Sequence, residues 1–467
     1  MAGRPLQPPL EFAPRMASFS DGDIAARPLT ARRSRALRGH FKVAPDSGLF
    51  ALAAMLAALA RGRSTLYRDA GAPDPDLQAT YRLLEAIGAR PEVADDRWEI
   101  SGLGTRGLLE PAKPIDFSGA GRALPLALAL LGSFDFEARL VGGRGPGRAT
   151  VARAIDVLRK TGMSIGEQQA GRLPISVAGP KTPVPFSVRL DEPSGDTKAA
   201  LLLAALSLPG TSMIEEVHPS SDESERLLHH FGAGIVEATG VDGVRTLAVS
   251  GLATLGARTL ALPGDADLAA FPLVAALIVP DSDVVIENVP MHPARMALIS
   301  ALEEMGGDIA IGERRLVAGQ EVADLEVRHS PLLGMSIDGR GLTPAGVPPL
   351  AVAGAFAAGE THLPRLGFAG EVALHEALAA GLSANGATAR ADAAGLHVGR
   401  PAAGRRLGGE DVLAGDDACL AAAFLVFGLA AADPVTVQRT DALSSAFPDL
   451  VAGLEGLGAE LYWWEAA

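Results

Sequence analysis

A repeated segment is the feature of this sequence that most restricts its fold. Each copy opens near an acidic or small residue, continues as a run rich in Ala and Leu, stops at Gly or Pro, and enters a β-branched stretch. The six copies occupy residues 46–67, 118–141, 196–217, 265–289, 347–366 and 417–437. They begin roughly 70–80 residues apart, a period that suits a small βαβ-type unit and not one turn of a solenoid.

A second helix is predicted in every unit, between the first helix and a further strand. Each ends on a glycine-rich stop, which is typical of helix C-termini because glycine accepts the left-handed conformation without a Cβ clash. These endings lie at residues 83–89, 158–163, 227–235, 302–309, 378–387 and 454–461. The first helices are apolar nearly all round, as in LLLAAL at 201–206. Such helices are buried, so the sequence predicts an α/β protein with internal helices.

Length and composition set further limits. The 467 residues suit two domains of three units each, and 48% hydrophobic residues can fill two cores. The net charge of −14 argues against binding to nucleic acid or to anionic lipid. The single cysteine, Cys419, excludes an internal disulfide and fits a reducing cytoplasm. The longest apolar run, 418–432, is shorter than the roughly 18 residues needed to span a bilayer. Residues 1–36 are predicted to be a flexible arm.

Several stretches resemble the EPSP synthases, a branch of the enolpyruvyl transferases. They are LPISVAGPKTP at 173–183, PGD at 263–265, FPLVAALIVP at 271–280, VADLEVR at 322–328 and SAFP at 445–448. The likeness to the alphaproteobacterial type, class II, runs from about residue 32 to 461, nearly the whole chain.

The resemblance implies two inside-out α/β domains, each with three-fold pseudo-symmetry and three of the six βαβ-type repeats. Domain I comprises residues 37–45 and 263–467, and domain II comprises 46–262, with crossovers near 45 and 263. In this family the buried helices direct their N-termini at the cleft between the domains. Helix N-termini carry about half a positive charge and favour anionic ligands. The family reaction joins shikimate 3-phosphate to phosphoenolpyruvate and releases phosphate, so its site needs several Lys and Arg side chains.

Most of the family's charged site positions are substituted in this sequence. The signature Gly-Asp-Lys-Ser-Ile-Ser-His-Arg aligns with residues 45–52, which puts Ser47 at the lysine and Leu52 at the last arginine. The arginine of the Arg-Pro-Met motif aligns with Ala149. The catalytic base, an Asp, aligns with Ala345.

The remaining signatures show the same loss. In Lys-Glu-Ser-Asp-Arg the lysine has become Gly370, and Glu371 is the one ionisable residue kept. In Asp-His-Arg the arginine has become Cys419. Ser194 and Lys198 survive from the phosphate-binding segment, and the resemblance implies that they bind a ligand. The sequence shows no metal-ligand cluster and no cofactor motif.

The number of lost charges argues against the family reaction. Removing one charged partner of a bound oxyanion costs roughly 2–4 kcal/mol. Loss of about seven such groups would exhaust the rate enhancement of a typical enzyme, even with generous allowance for non-additivity. The sequence therefore favours an inactive family member, a cytoplasmic monomer with a binding, regulatory or scaffold role toward an unknown small molecule or protein.

Carboxylates remain where the cations are lost. Six of them are predicted at or near helix starts that line the cleft, and two, Asp196 and Asp267, replace neutral family residues. The full set is Asp46, Asp196, Asp265, Asp267, Glu371 and Asp417. One interpretation is that they cap helix ends which substrate phosphates satisfy in the enzymes. The alternative, less favoured, is that they bind a cation or a basic partner segment.

Three arginines and the cysteine stay open as site candidates. Arg122, Arg144 and Arg148 are close in sequence and one could replace a lost cation, although surface positions are favoured in a chain with 36 arginines. Cys419 is interpreted as an inert buried thiol.

Two active alternatives remain. The first is a transferase with a changed substrate, acting through Glu371, Asp417 or His375, although His375 is better explained by an exposed helical ion pair with Glu371. The second is a true EPSP synthase with a misaligned site, which is disfavoured because the sequence has no lysine after Lys198.

Overall fold

The computed structural model describes residues 27–68, 73–143, 148–401 and 404–463. In chain order, the elements up to residue 178 are β1 (Leu29–Arg32), β2 (Arg38–Lys42), α1 (Ser47–Leu59), β3 (Arg61–Tyr67), α2 (Pro75–Ala86), β4 (Glu92–Val93), β5 (Arg97–Leu103), β6 (Ile115–Asp116), α3 (Ala123–Leu131), β7 (Glu137–Val141), α4 (Arg148–Arg159), β8 (Ser164–Glu167) and β9 (Ile175–Ala178).

The next elements are β10 (Ser187–Leu190), α5 (Gly195–Leu206), β11 (Thr211–Glu216), α6 (Glu223–Phe231), β12 (Gly234–Thr239), β13 (Arg245–Ser250), β14 (Thr259–Ala261), α7 (Ala266–Ile278), β15 (Asp283–Pro290), α8 (Pro293–Glu304), β16 (Asp308–Ile311), β17 (Arg315–Val317) and β18 (Gln320–Arg328). A 3₁₀ turn (Pro344–Gly346) follows, then α9 (Val347–Phe356), β19 (Glu360–Pro364), α10 (Glu371–Ala384), β20 (Thr388–Ala391), β21 (Gly395–Gly399), β22 (Val412–Leu413), α11 (Ala418–Ala430), β23 (Val435–Gln438), α12 (Asp441–Ala446), α13 (Leu450–Gly456) and β24 (Glu460–Trp463).

The described strands form six small sheets, one for each repeat. Their strand orders are β14-β3-β5-β4, β6-β7-β9-β8, β10-β11-β13-β12, β16-β18-β15-β2 with β17 beside β18, β19-β21-β20, and β22-β23-β1-β24. In the third sheet, β10 and β11 are parallel and the other neighbours are antiparallel. A parallel pair needs a crossover connection, which α5 supplies. The six predicted βαβ-type repeats are confirmed.

Six helices are enclosed by these sheets, as the apolar runs predict. They are α1, α3, α5, α7, α9 and α11, and nearly every one of their residues is buried. Because most of their residues are Ala, Leu, Val or Phe, these helices pack on all sides and expose no polar face. The second helix of a unit is more amphipathic; in α6, for example, Leu227, Leu228 and Phe231 are buried and Arg226 is exposed.

The buried apolar residues fall into two clusters. One runs from Phe50 to Leu262 and surrounds α1, α3 and α5; we call the part of the molecule that contains it half A. The other combines residues 29–43 with 268–461 and surrounds α7, α9 and α11; we call that part half B. The chain passes between the halves twice, and the two passages lie side by side, with Pro45 bridged to Gly264.

The N-terminal arm requires a correction. Residues 1–36 are predicted from the sequence to be a flexible arm, and of these the structure describes residues 27–36. β1 lies between β23 and β24 in one sheet, and Leu29 and Ala31 are fully buried. The prediction is therefore wrong for residues 27–36; residues 1–26 lie outside the described residues. The cause is that β1 is only four residues long and finds its partners more than 400 residues away in the chain.

None of the described helices combines the length and the apolar character needed to cross a membrane. Within the same residues, His, Cys, Asp and Glu side chains form no group of three or more that could hold a metal ion.

Candidate active site

The N-termini of the buried helices meet where the two halves face each other, and Arg122 lies at the meeting point. Its guanidinium forms ion pairs with Asp46 at the start of α1 and with Asp265 at the start of α7, the latter at 3.4 Å between Nη1 and Oδ2. Burial acts to lower the pKa of Arg122, but the carboxylates of Asp265, Asp196 and Asp267 outweigh it and raise that pKa above its ordinary value. The helix ends of both halves therefore share one cation.

Side-chain oxygens satisfy the free backbone N–H groups of these helices. Asp46 accepts from the Leu49 N–H at 2.7 Å, Asp265 from the Asp267 N–H at 2.8 Å, and Asp417 from the Leu420 N–H at 2.9 Å. These are N-cap hydrogen bonds, in which the carboxylate also benefits from the positive end of the helix. The prediction that these acidic residues cap helices is confirmed.

The same arrangement holds at α5. Ser194 is its N-cap and accepts from the Thr197 N–H, while Asp196 lies in the first turn. Both residues are thus at the helix end where the resemblance implies a ligand.

The position of Arg122 differs from the one favoured by the sequence analysis. Only 28% of its side chain is exposed, and it lies between carboxylates instead of on the outer surface. The backbone of Gly48 in α1 makes room for it, because a Cβ there would lie 3.2 Å from the Cβ of Arg122. Arg144 and the side chain of Arg148 lie outside the described residues.

Two aspartates that were not predicted from the sequence, Asp74 and Asp76, stabilise the starts of α2 and α3. Asp76, in α2, accepts hydrogen bonds from the Gly121 and Ala123 N–H groups and so caps α3 from another element. Burial, with a smaller contribution from the charge of Asp74, raises the pKa of Asp76 to about 7. Asp74 caps α2 itself, and burial raises its pKa as well.

A sequence signal existed for one of the two. Asp74 followed by Pro75 is a helix-start pattern, since proline at the first helical position is preorganised and aspartate is a preferred N-cap. The tertiary role of Asp76 has no local signal, because its partners are 45 and 47 residues away.

The positions aligned with the family's first lysine and arginine are internal. Ser47 is 6% exposed and its hydroxyl donates to Asp74 Oδ2 at 2.5 Å. Leu52 is 1% exposed and packs in the core of half A. The Ser47 hydroxyl is thus committed to Asp74 and Leu52 carries no polar group, so neither side chain supplies the positive charge of the family residue.

Lys198 is also internal. Its side chain is fully buried, its Nζ lies 2.7 Å from Glu225 and 3.4 Å from Glu216, and it donates to the Ser221 carbonyl oxygen. Arg245 joins the same two carboxylates. The structure thus commits Lys198 to an ionic network inside half A instead of bringing it to the helix ends.

Glu371 and His375 do not form the exposed ion pair that the sequence analysis favours. Glu371 is 3% exposed, and its carboxylate accepts from the backbone N–H groups of Leu366 and Gly367. His375 is 1% exposed, and neither ring nitrogen has a hydrogen-bond partner. Desolvation lowers the pKa of His375, so the ring is neutral at physiological pH. Gly370, at the family's lysine position, has a φ of +87°, which strains any other residue.

A cavity of about 30 Å³ opens beside the position of the family's catalytic base. Ala345, Gly346 and Thr343 line one side of it and Asp267 and Leu273 another. A cavity of roughly 10–15 Å³ already holds one water molecule, so this one has room for about two. Because residues of α7 and of the turn before α9 line the same cavity, the start of α9 lies next to α7.

Cys419 lies in the first turn of α11, among the same helix ends. Burial and the charges of Asp267 and Asp417 raise the pKa of its thiol well above the ordinary value. The thiol is therefore protonated at neutral pH, in agreement with an inert cysteine. The side chain of Ala149 lies outside the described residues.

Sequence comparisons identify relatives of nearly the same length. The sequence profile of the family EPSP synthase (3-phosphoshikimate 1-carboxyvinyltransferase) matches residues 31–454. The 3-phosphoshikimate 1-carboxyvinyltransferase of Brucella canis is 37% identical over 445 residues, covering 93% of this chain and 97% of the relative. That of Chelativorans sp. (strain BNC1) is 38% identical over 449 residues, covering 94% and 98%.

Solved structures agree with the fold. The EPSP synthase of Acinetobacter baumannii superposes with a TM-score of 0.79 at 24% identity, covering 94% of this chain and 100% of that one. The enolpyruvyl transferase NikO of Streptomyces tendae superposes with a TM-score of 0.71 at 19% identity, covering 95% and 100%. The fold and the sequence matches agree, and the chain belongs to the EPSP synthase (3-phosphoshikimate 1-carboxyvinyltransferase) family.

Proposed function

We propose that this chain is a catalytically inactive member of the EPSP synthase family, with a binding, regulatory or scaffold role. The observation that carries the proposal is the pairing of Arg122 with Asp46 and Asp265. A pair of substrates like those of the family brings several negative charges to the helix ends. Here two carboxylates that replace neutral family residues, Asp196 and Asp267, lie at those ends and would repel the phosphates. The cation among them, Arg122, is already engaged by Asp46 and Asp265.

The positions that align with family catalytic groups support the proposal. Ser47 and Leu52 are buried, Ala345 carries no ionisable group, and Glu371 is hydrogen-bonded to the backbone of its own loop. A general acid or base must reach the atom that gains or loses the proton, within about 2.6–3.2 Å or through one water. Glu371 is buried, and both of its oxygens already accept from the backbone N–H groups of Leu366 and Gly367.

The alternative is an enolpyruvyl-type transferase, either a 3-phosphoshikimate 1-carboxyvinyltransferase or an altered-substrate relative in the shikimate pathway of aromatic amino acids. It is favoured by the extent of the sequence match, since relatives with 37–38% identity over almost the whole chain carry that enzyme's name. Glu371, Asp417 and His375 are the residues on which such activity would depend.

Turnover and binding assays separate the two. We expect no release of inorganic phosphate from shikimate 3-phosphate with phosphoenolpyruvate, and no rise in melting temperature with both compounds at millimolar concentration. A ligand present at 100 times its dissociation constant would stabilise the protein by about 2.7 kcal/mol, a shift that is easily measured. The Brucella canis enzyme, assayed in parallel, serves as the positive control.

Activity would contradict the proposal if it belonged to this chain. Phosphate release that is abolished in Glu371→Gln, at unchanged melting temperature, would establish the transferase alternative. Phosphate release that persists in that variant would be tested in Asp417→Asn and His375→Gln, and only release that survives all three changes would point to contamination.

A further inference from the structure

We propose that Arg122 is an ionic latch that holds the two halves of this protein together when no ligand is bound. Arg122 and Asp46 belong to half A, at the starts of α3 and α1, and Asp265 belongs to half B, at the start of α7. One guanidinium therefore joins a carboxylate of its own half to a carboxylate of the other half. This inference does not depend on the proposed loss of activity.

The latch is preorganised on the side of half A. Asp76 binds the backbone N–H groups of Gly121 and Ala123 on either side of Arg122, which fixes the start of α3. Gly48 leaves the space that the Arg122 side chain fills. An arginine held in this way loses little side-chain freedom when it meets a carboxylate, so more of the attraction remains to stabilise the contact.

Other contacts between the halves surround the latch. Arg68 lies 3.7 Å from Asp449, and the Ser445 hydroxyl donates to the Gly119 carbonyl oxygen at 2.9 Å. At a further place, His292 lies 3.2 Å from Asp222. The halves are thus joined by groups of the chain itself, both near the latch and at this further place.

Cys419 provides a built-in reporter of opening. It is the single cysteine of the chain and is partly buried. The charges of both Arg122 and Asp265 influence the pKa of its thiol. When the halves separate, the thiol becomes more accessible. Its alkylation by iodoacetamide, in which the sulfur displaces iodide, then becomes faster.

The two partners of the latch influence the thiol in opposite directions, which makes the test sharp. Arg122 lowers the pKa of Cys419 and Asp265 raises it. Through charge alone, Arg122→Met would slow alkylation and Asp265→Asn would speed it, because the thiolate is the reactive form. If the latch closes the molecule, both variants open it, and we expect alkylation about tenfold faster in each, the effect of losing one charged contact.

Controls fit the same design. Asp417→Asn keeps an N-cap on α11 and changes a charge near Cys419, but Asp417 makes no ion pair with Arg122 in the described structure; we expect only a small acceleration. Asparagine is also a good N-cap, so Asp265→Asn should fold even if Arg122→Met does not.

Small-angle X-ray scattering of the full chain should give a larger radius of gyration for the latch variants than for wild type and Asp417→Asn.

Salt provides an independent measurement on the unmodified protein. Since the latch is partly exposed, 0.5 M NaCl, which shortens the Debye length to roughly 4 Å, should accelerate alkylation of wild type by a larger factor than that of Arg122→Met. In that variant salt screens only the remaining ion pairs between the halves. Slower alkylation in Arg122→Met together with faster alkylation in Asp265→Asn, at an unchanged radius of gyration, would show that Arg122 affects only the local charge and would overturn the proposal.

Discussion

Asp76 places a carboxyl group in the interior of half A, where only 2% of the residue is exposed. Burial and the neighbouring charge of Asp74 raise the pKa of this carboxyl group to about 7. Two backbone N–H groups stabilise the charged form, but they do not compensate for the loss of water. In the unfolded chain the same group titrates near 3.9, so the folded protein binds the proton more tightly.

This difference predicts a pH-dependent stability. The contribution of protonated Asp76 is fully present below about pH 4 and is lost as the pH rises to about 7, after which the loss is constant. Asp76→Asn keeps an oxygen that can accept from Gly121 and Ala123 but carries no charge. We expect the variant to exceed wild type in melting temperature by an amount that grows between pH 4.5 and pH 7 and then levels off.

Thermal unfolding followed by circular dichroism at several pH values measures the difference. Asp95→Asn, at an exposed position, is the control and should show no such trend. A difference between Asp76→Asn and wild type that is the same at pH 4.5 and pH 8 would show that Asp76 has an ordinary pKa in the folded protein.

Local sequence patterns predict the site residues that contact near neighbours in the chain, and they fail for those whose partners are distant in sequence. Asp46, Asp265 and Asp417 each cap the helix that follows them, an interaction within three residues, and so a local pattern predicts them. Arg122 contacts Asp265, which is 143 residues away, and nothing in its own segment reports that partner. The same limit applies to Lys198, whose alignment implies a ligand although its contacts are with Glu216 and Glu225.

Among the secondary-structure elements, the contact of α11 with β1 explains why the N-terminal segment is part of half B. Gly428 in α11 lies against β1, and a Cβ at that position would be 2.6 Å from the Cβ of Ala31 and 3.1 Å from its carbonyl oxygen. Helix and strand can approach this closely only because residue 428 has no side chain.

Gly428→Ala therefore tests the placement of β1. We expect it to destabilise the protein by about 1–3 kcal/mol, as overpacking in a close-packed core does, even though alanine favours a helix. Gly456→Ala at the end of α13 is the matched control, because a Cβ there meets nothing within 4 Å. Urea unfolding of the two variants measures the difference; equal stability would mean that β1 does not pack against α11.

The elements that the sequence predicts best are those with the strongest internal pattern. The buried helices follow from long Ala- and Leu-rich runs between caps and stops, and the six units follow from their repetition. β1 has only the four residues LTAR, of which the first three are buried although they alternate between the two faces of the strand, and so its pattern is too short and too irregular to tell a strand from a loop. Its position depends on β23 and β24, which are formed by the opposite end of the chain.

For the whole molecule, the separation of the buried residues into two clusters raises the question of whether each half folds alone. The cluster of half A consists entirely of residues between Phe50 and Leu262, and all strands of its three sheets lie between Arg61 and Ala261. Half B, in contrast, needs β1 and β2 from before the first crossover as well as residues after the second.

A fragment of residues 44–262 should therefore fold independently. Its core is complete, and the contacts it gives up with half B include the polar ones of Arg122, Arg68 and Ser445. Polar contacts between halves contribute far less to the free energy of folding than burial of an apolar core, at about 25 cal/mol for each Å² of apolar surface. We expect a soluble fragment with mixed helix and strand circular dichroism and one cooperative thermal transition. A broad transition with strong binding of a hydrophobic dye would mean that half A needs half B to fold, and would place the boundary of the folding unit beyond the two crossovers.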